Sequence, residues 1–188
     1  VDGIRKQITK KTKLIMLNTP NNPTGAVVPK SVLEEISDLA VEHNLTLLLD
    51  EVYERIVYET KHFSLATHSD LKNHLISVFS FSKTYAMTGW RIGYAISNAN
   101  IIKAMGSITM YTNACANSIA QKAAIAALDG PQDCVESMVK EYRRRRDLMV
   151  DRLKEMKAFS VTKPTGAFYV YPKILLDVES PDFVKQLI

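Results

Sequence analysis

The residues able to do covalent chemistry in this chain fall in four short groups: Asn21-Asn22-Pro23-Thr24-Gly25, Asp50-Glu51-Val52-Tyr53, Ser80-Phe81-Ser82-Lys83 and Gly89-Trp90-Arg91. Together they offer an amine that can condense with a carbonyl, a carboxylate for a cationic nitrogen, and amide and phenol donors for an oxyanion. Serine hydroxyls and a planar guanidinium add a grip for phosphate. An arginine at position 83 could not replace the lysine, because it stays protonated and cannot act as a base. Each group also has a plainer reading. Isolated lysines sit on surfaces, serines beside strand ends are structural, Asp50 after a strand is a natural helix N-cap, and Asn-Pro-Thr-Gly is an ordinary turn. What favours chemistry is that all four follow a predicted strand.

The elements that must position these groups read as follows. Apolar runs of strand length occupy 14–17, 45–49, 75–81 and 92–96, and their continuity predicts strands buried on both faces. Between the first two lies a helical pattern with Val32, Leu33, Ile36, Leu39 and Ala40 on one face, opened by Pro29 and a Ser31/Glu34 capping box. Strand, helix, strand at this spacing makes a βαβ unit and an α/β fold, in which ligands collect outside the carboxyl ends of the strands. From residue 101 the pattern is helical, with breaks near Asn113 and at Asp129-Gly130-Pro131, the latter a candidate domain edge. A long helix over 131–157 carries an apolar stripe of Val135, Met138, Tyr142, Met149, Leu153 and Met156. The run Arg143-Arg144-Arg145-Arg146 points all round that helix and reads as a solvated face. An aromatic strand over 167–171 is expected to open a second unit.

The Asn-Pro-Thr-Gly turn, the Asp-x-x-Tyr pair and the Ser-x-Ser-Lys group with arginine eight residues later resemble the class I and II aminotransferases that use pyridoxal phosphate. The stretch Ser82-Lys83-Thr84-Tyr85-Ala86-Met87-Thr88-Gly89-Trp90-Arg91-Ile92-Gly93-Tyr94 and the stretch Pro164-Thr165-Gly166-Ala167-Phe168-Tyr169 are most similar to the bacterial and archaeal aspartate aminotransferase subgroup. The resemblance implies fold type I, with part of a mostly parallel sheet and flanking helices (1–128) and the start of a smaller α+β domain (129–188). It implies Lys83 as the catalytic lysine that forms the cofactor aldimine in a ping-pong transfer. Asp50 would pair with the pyridine nitrogen, Asn22 and Tyr53 would bind the phenolic oxygen, and Ser80, Ser82 and Arg91 the phosphate. Trp90 and Tyr85 flank the lysine, Trp90 as a packing residue, and Phe168 and Tyr169 fall near the substrate pocket without a catalytic role. The substrates implied are an aspartate-like amino acid and a 2-oxo acid, acted on by a homodimer. Animal-type members read the distal carboxylate with an arginine before a Met-Tyr-Ser-Asn stretch. Ile108-Thr109-Met110-Tyr111-Thr112-Asn113 offers none, so aspartate is not fixed by this region. A β-lyase or synthase on the same site, and a non-catalytic regulatory domain, stay open as alternatives.

Bulk properties narrow the field. With 24 basic and 20 acidic residues the charge is mixed, which argues against nucleic acid. No apolar run approaches the roughly 20 residues of a membrane span. Cys115 and Cys134 have no CxxC or histidine-pair context, so neither a metal site nor a disulfide framework is expected, and a cytoplasmic setting fits. His43, His62, His68 and His74 have no carboxylate or serine partner at a recognisable spacing and are expected at the surface. Val1 is not a start methionine and the last residues fall inside an amphipathic segment, so the chain is read as a fragment. A phosphate-binding glycine turn and the arginine for the substrate α-carboxylate are then expected outside it.

Overall fold

The structure, a computed structural model, describes residues 1–187. Its centre is a four-stranded sheet in which β1 (Leu14–Asn18), β2 (Thr46–Asp50), β3 (Leu75–Ser80) and β4 (Gly93–Ile96) lie side by side in sequence order. The first three are parallel and β4 runs antiparallel to β3. The register sets Asn18 beside Asp50 and Asp50 beside Val78, so β1, β2 and β3 exit the sheet at nearly one level. That alignment brings three of the four polar groups to one edge.

The helix α1 (Asp2–Gln7) precedes β1, and α2 (Lys30–Glu42) makes the crossover from β1 to β2, burying Leu33, Ile36, Leu39 and Ala40. Leu33, Ile36 and Ala40 form one core with Ile15, Leu47, Leu49 and Leu75 of the strands, closed by Leu65 and Leu71. Each fully buried leucine contributes about 1.5–3 kcal/mol. The expected capping box is not formed: α2 begins at Lys30 with Pro29 as N-cap and no side-chain cap bond. Ser31 therefore lies inside the first turn, where its hydroxyl cannot serve as the cap. Nor are the strands buried equally on both faces. Leu47 and Leu49 are buried while Thr46, Leu48 and Asp50 are half-buried, and β4 is largely open. The reason lies in α4 (Ala99–Thr112), which follows β4 and buries no residue.

After α5 (Ser118–Asp129) the long helix α6 (Asp133–Glu155) runs as expected, but its stripe differs. Val135, Val150 and Arg146 are its buried residues, while Met149 and Met156 are exposed. Arg146 overturns the expectation of a solvated arginine run. Its guanidinium meets both oxygens of Glu59 at 2.6 Å, donates to Pro164 O at 2.9 Å, and lies 4.2 Å from the centre of the Tyr58 ring. The other three arginines are exposed as expected: Arg143 reaches Tyr58 O, and Arg144 and Arg145 pair with Glu141. The pair β5 (Phe159–Ser160) and β6 (Lys173–Ile174) and the helix α7 (Ser180–Leu187) complete the chain.

The aromatic stretch 167–171 is not a strand. Thr165 N and Gly166 N both donate to Gly25 O, while Ala167 N donates to Ile56 O and Ala167 turns left-handed at φ 53°. A segment held by two different loops at one left-handed residue cannot continue as extended ladder. Among the described residues no helix is long and apolar enough to cross a membrane.

Candidate active site

The loop after β1 is a self-bonded turn. Asn18 Oδ1 accepts from Asn22 N at 2.6 Å, and Asn21 Oδ1 accepts from Thr24 N at 3.1 Å and Thr24 Oγ1 at 2.6 Å. Gly25 ends it at φ +67°, and a Cβ there would fall 2.3 Å from Pro164 Cβ, so glycine is required by conformation and by space. The turn is thereby clamped to the segment that carries Phe168 and Tyr169.

Asp50 closes β2 half-buried, with Oδ1 accepting from Val52 N at 3.3 Å. Burial pushes its carboxyl above the ordinary range, the Val52 amide opposes this, and Glu51 adds to it. Three residues on, Tyr53 is 3% exposed and its hydroxyl lies 2.6 Å from that of Tyr169. Burial first, and Tyr169 second, raise the Tyr53 phenol far above its usual value. The Asn22 amide pulls it back, and Asp50 pushes it up. Asn22 and Asp50 thus both act on the Tyr53 phenol across the exits of β1 and β2.

Lys83 lies in the one-turn helix α3 (Phe81–Thr84), capped by Ser80, whose Oγ accepts from Ser82 N at 3.1 Å. Its ammonium is 5.6 Å from the centre of the Phe168 ring. The same ring meets Tyr53 edge-on at 5.3 Å and Tyr169 at 4.8 Å. The amine and the phenol therefore share one aromatic wall. Ser82 is buried, and Ser80 borders a cavity of about 230 Å³ with Glu54, Phe81 and Tyr85. Arg91 lines a cleft in which Phe168 takes no part. Held left-handed at φ 52° and ψ 52°, it donates to Thr88 O at 3.0 Å and shares that cleft of about 820 Å³ with Gly89, Trp90, Asn113 and Asn117. Trp90, expected to pack, is 46% exposed, and Tyr85 points its hydroxyl to Gln132.

Several residues around the site escaped sequence reasoning. His62 is no surface residue: its side chain is 5% exposed and its Nε2 is 2.6 Å from Glu51 Oε2, the carboxylate next to Asp50. Ser64 Oγ donates to the other Glu51 oxygen at 3.0 Å. Ten residues of intervening loop hide this pairing from any spacing rule. His74 is likewise anchored, its Nδ1 3.0 Å from Leu45 O. Tyr169 is a direct partner of Tyr53, and Thr84 Oγ1 donates to Glu54 at 3.1 Å. The Asp-Glu pair at 50 and 51 was the one available signal, since alternation along a strand end sends adjacent carboxylates to opposite faces.

The chain is similar to known proteins along nearly its whole length. The aspartate aminotransferase of Pyrococcus abyssi is 46% identical over 177 residues, which is 93% of this chain and 45% of that protein. The aromatic-amino-acid aminotransferase 2 of Thermococcus litoralis is 45% identical over the same shares. The crystal structure of the aromatic aminotransferase from Pyrococcus horikoshii superposes with a TM-score of 0.94 at 42% identity, covering 99% of this chain and 51% of that one. The chain spans about half the length of the curated relatives it matches. The sequence profile of aminotransferase class I and II matches residues 1–188 throughout, and the chain belongs to that family.

Proposed function

We propose that the full-length protein transfers an amino group between an aspartate-like amino acid and a 2-oxo acid, with pyridoxal phosphate as cofactor and Lys83 as its lysine. The observation that supports this reading is the Phe168 ring, which meets both the Lys83 amine and the ring of Tyr53, whose phenol responds to both Asn22 and Asp50.

The donor set fits the cofactor. Asp50 is half-buried with a single long bond from Val52 N, and burial disfavours its charge, so a cationic ring nitrogen is the partner it wants. When bound, the cofactor supplies an aldehyde that condenses with amines and a ring that takes up electrons. Asp50 would hold the proton on the pyridine nitrogen. Tyr53 and Asn22 would donate to the phenolic oxygen. Arg91 spends one N–H on Thr88 O and keeps four others for phosphate, with Ser80 and Ser82 as hydroxyl donors. Lys83, once released by the incoming amine, would carry the proton between the substrate α-carbon and the cofactor. Relatives named for aspartate and for aromatic substrates leave the side-chain preference to the test. We also propose a cytoplasmic homodimer for the full-length protein, with residues 1–128 as part of the cofactor domain and 129–188 as the start of the small one.

Borohydride reduction of the loaded full-length protein, followed by peptide mapping, should place the label on Lys83. Aspartate plus a 2-oxo acid should then yield the new amino acid, and Lys83→Arg should lose about 10²–10⁴-fold in rate. A label on another lysine, or an active Lys83→Ala variant, would sink the proposal.

A further inference from the structure

We propose that Glu54 and Thr84 are positioning residues for Lys83, a hydroxyl–carboxylate bond that ties the turn carrying the amine to the segment leaving the neighbouring strand. This rests on the reading of Lys83 as the cofactor lysine. Thr84 is the residue after Lys83 and the last of α3, and it is 1% exposed. Its Oγ1 donates to Glu54 Oε1 at 3.1 Å and to Oε2 at 3.3 Å, across thirty residues of chain. Glu54 belongs to the turn that leaves β2, its own N–H donating to Glu51 O at 3.0 Å. Burial pushes the Glu54 carboxyl up, and the Thr84 hydroxyl is the first influence that pulls it back, followed by its own backbone amide, His62 and Arg55. The carboxylate is thus held where a hydroxyl donor matters to it.

The need for such a tie follows from the size of α3. Four residues make one turn, too short to keep its shape by its own hydrogen bonds. Phe81 anchors the first residue in a core with Met87 and Ala124, and Thr84 anchors the last. Lys83 projects between these two fixed points. The Glu54 end is itself braced, because His62 and Ser64 fasten the buried Glu51 three residues earlier. Asp50 and Lys83 are therefore held in mutual register by a bond that neither makes.

The test uses the loaded full-length protein with Thr84→Val, which keeps the shape and removes the hydroxyl, and Thr84→Ser, which keeps the hydroxyl. Thr84→Val should slow the first half-reaction about 10- to 100-fold while the amino-acid KM moves less than about threefold, as expected for a displaced reacting group. The visible circular dichroism of the bound cofactor should change with it. Thr84→Ser should restore both, and Glu54→Ala should repeat the loss, which keeps the test open if the valine variant does not fold. Wild-type behaviour of both Thr84→Val and Glu54→Ala overturns the proposal, and so does a serine variant as impaired as the valine one, since packing would then be the cause. The borohydride label separates the two readings. A label on Lys83 with indifferent variants overturns this inference alone, and a label elsewhere overturns the parent reading with it.

Discussion

Asp50 shows how a candidate site residue can work against the fold that holds it. Its carboxyl titrates above its ordinary 3.8 because burial penalises the charge. A group whose folded value is raised lends stability that is complete below its unfolded value and is lost as pH rises through the folded one. At neutral pH the cofactor-free protein therefore carries a cost at Asp50. We expect cofactor-free Asp50→Asn to melt higher than wild type at pH 7, with the advantage shrinking as pH falls toward 3.8, the ordinary value. The same variant should bind the cofactor more weakly by about 1.5–3 kcal/mol, the scale of a charge-assisted hydrogen bond. Equal melting at all pH values, measured by calorimetry, would show that Asp50 is not strained. At this scale the sequence was informative about residue type and place, since Asn22, Asp50, Tyr53 and Lys83 all stand at strand exits. It misjudged His62, expected at the surface, said nothing of Glu54, and placed Tyr169 near the pocket without its bond to Tyr53, because these partners are set by loops folding back across the site.

Among the elements, α6 has the least expected chemistry. A helix with four consecutive arginines uses one of them as an internal bolt, Arg146 against Glu59, Pro164 and the Tyr58 face. That bolt joins α6 to the segment 56–59 leaving Tyr53, and the adjoining Ile56 and Tyr58 hold Thr165 and Ala167 in place. Arg146→Met should destabilise the protein by about 2–3 kcal/mol, from the lost charge-assisted bonds and ring contact. Glu59 is half-exposed, so Glu59→Gln should cost less than about 1 kcal/mol. The Arg146 guanidinium holds the Glu59 carboxyl below its ordinary range, so this contribution is present above the unfolded value of 4.5 and lost as pH falls through the folded one. Denaturant titrations from pH 7 to 3 should accordingly show a shallower acid decline for Glu59→Gln than for wild type. Periodicity placed the helix correctly and misjudged its buried face, because an arginine can be buried wherever a carboxylate and a carbonyl await it.

For the molecule as a whole, the distribution of exposed apolar surface is uneven. Ile108 is 66% exposed, Met110 67% and Tyr111 90% at the end of α4, Ile119 of α5 is 69% exposed, and the strand β4 is largely open. Exposed apolar surface of this kind, in a molecule with an open edge strand, favours association. The 188-residue chain expressed alone should self-associate with rising concentration in sedimentation experiments, and Ile108→Asp with Met110→Lys should suppress it. A monodisperse wild-type chain at high concentration would refute the expectation. The sequence by itself determined the α/β class, the order of the sheet strands and the main helices and the polar residue types at the strand exits, because hydrophobic period, turn residues and strand-exit motifs are local properties. The tertiary structure alone decided which side chains meet. Burial of Arg146 and His62, the Phe168 ring met by Lys83 and Tyr53, and the Glu54–Thr84 bond each join residues eleven or more positions apart, and their energies depend on desolvation and geometry that no local pattern encodes.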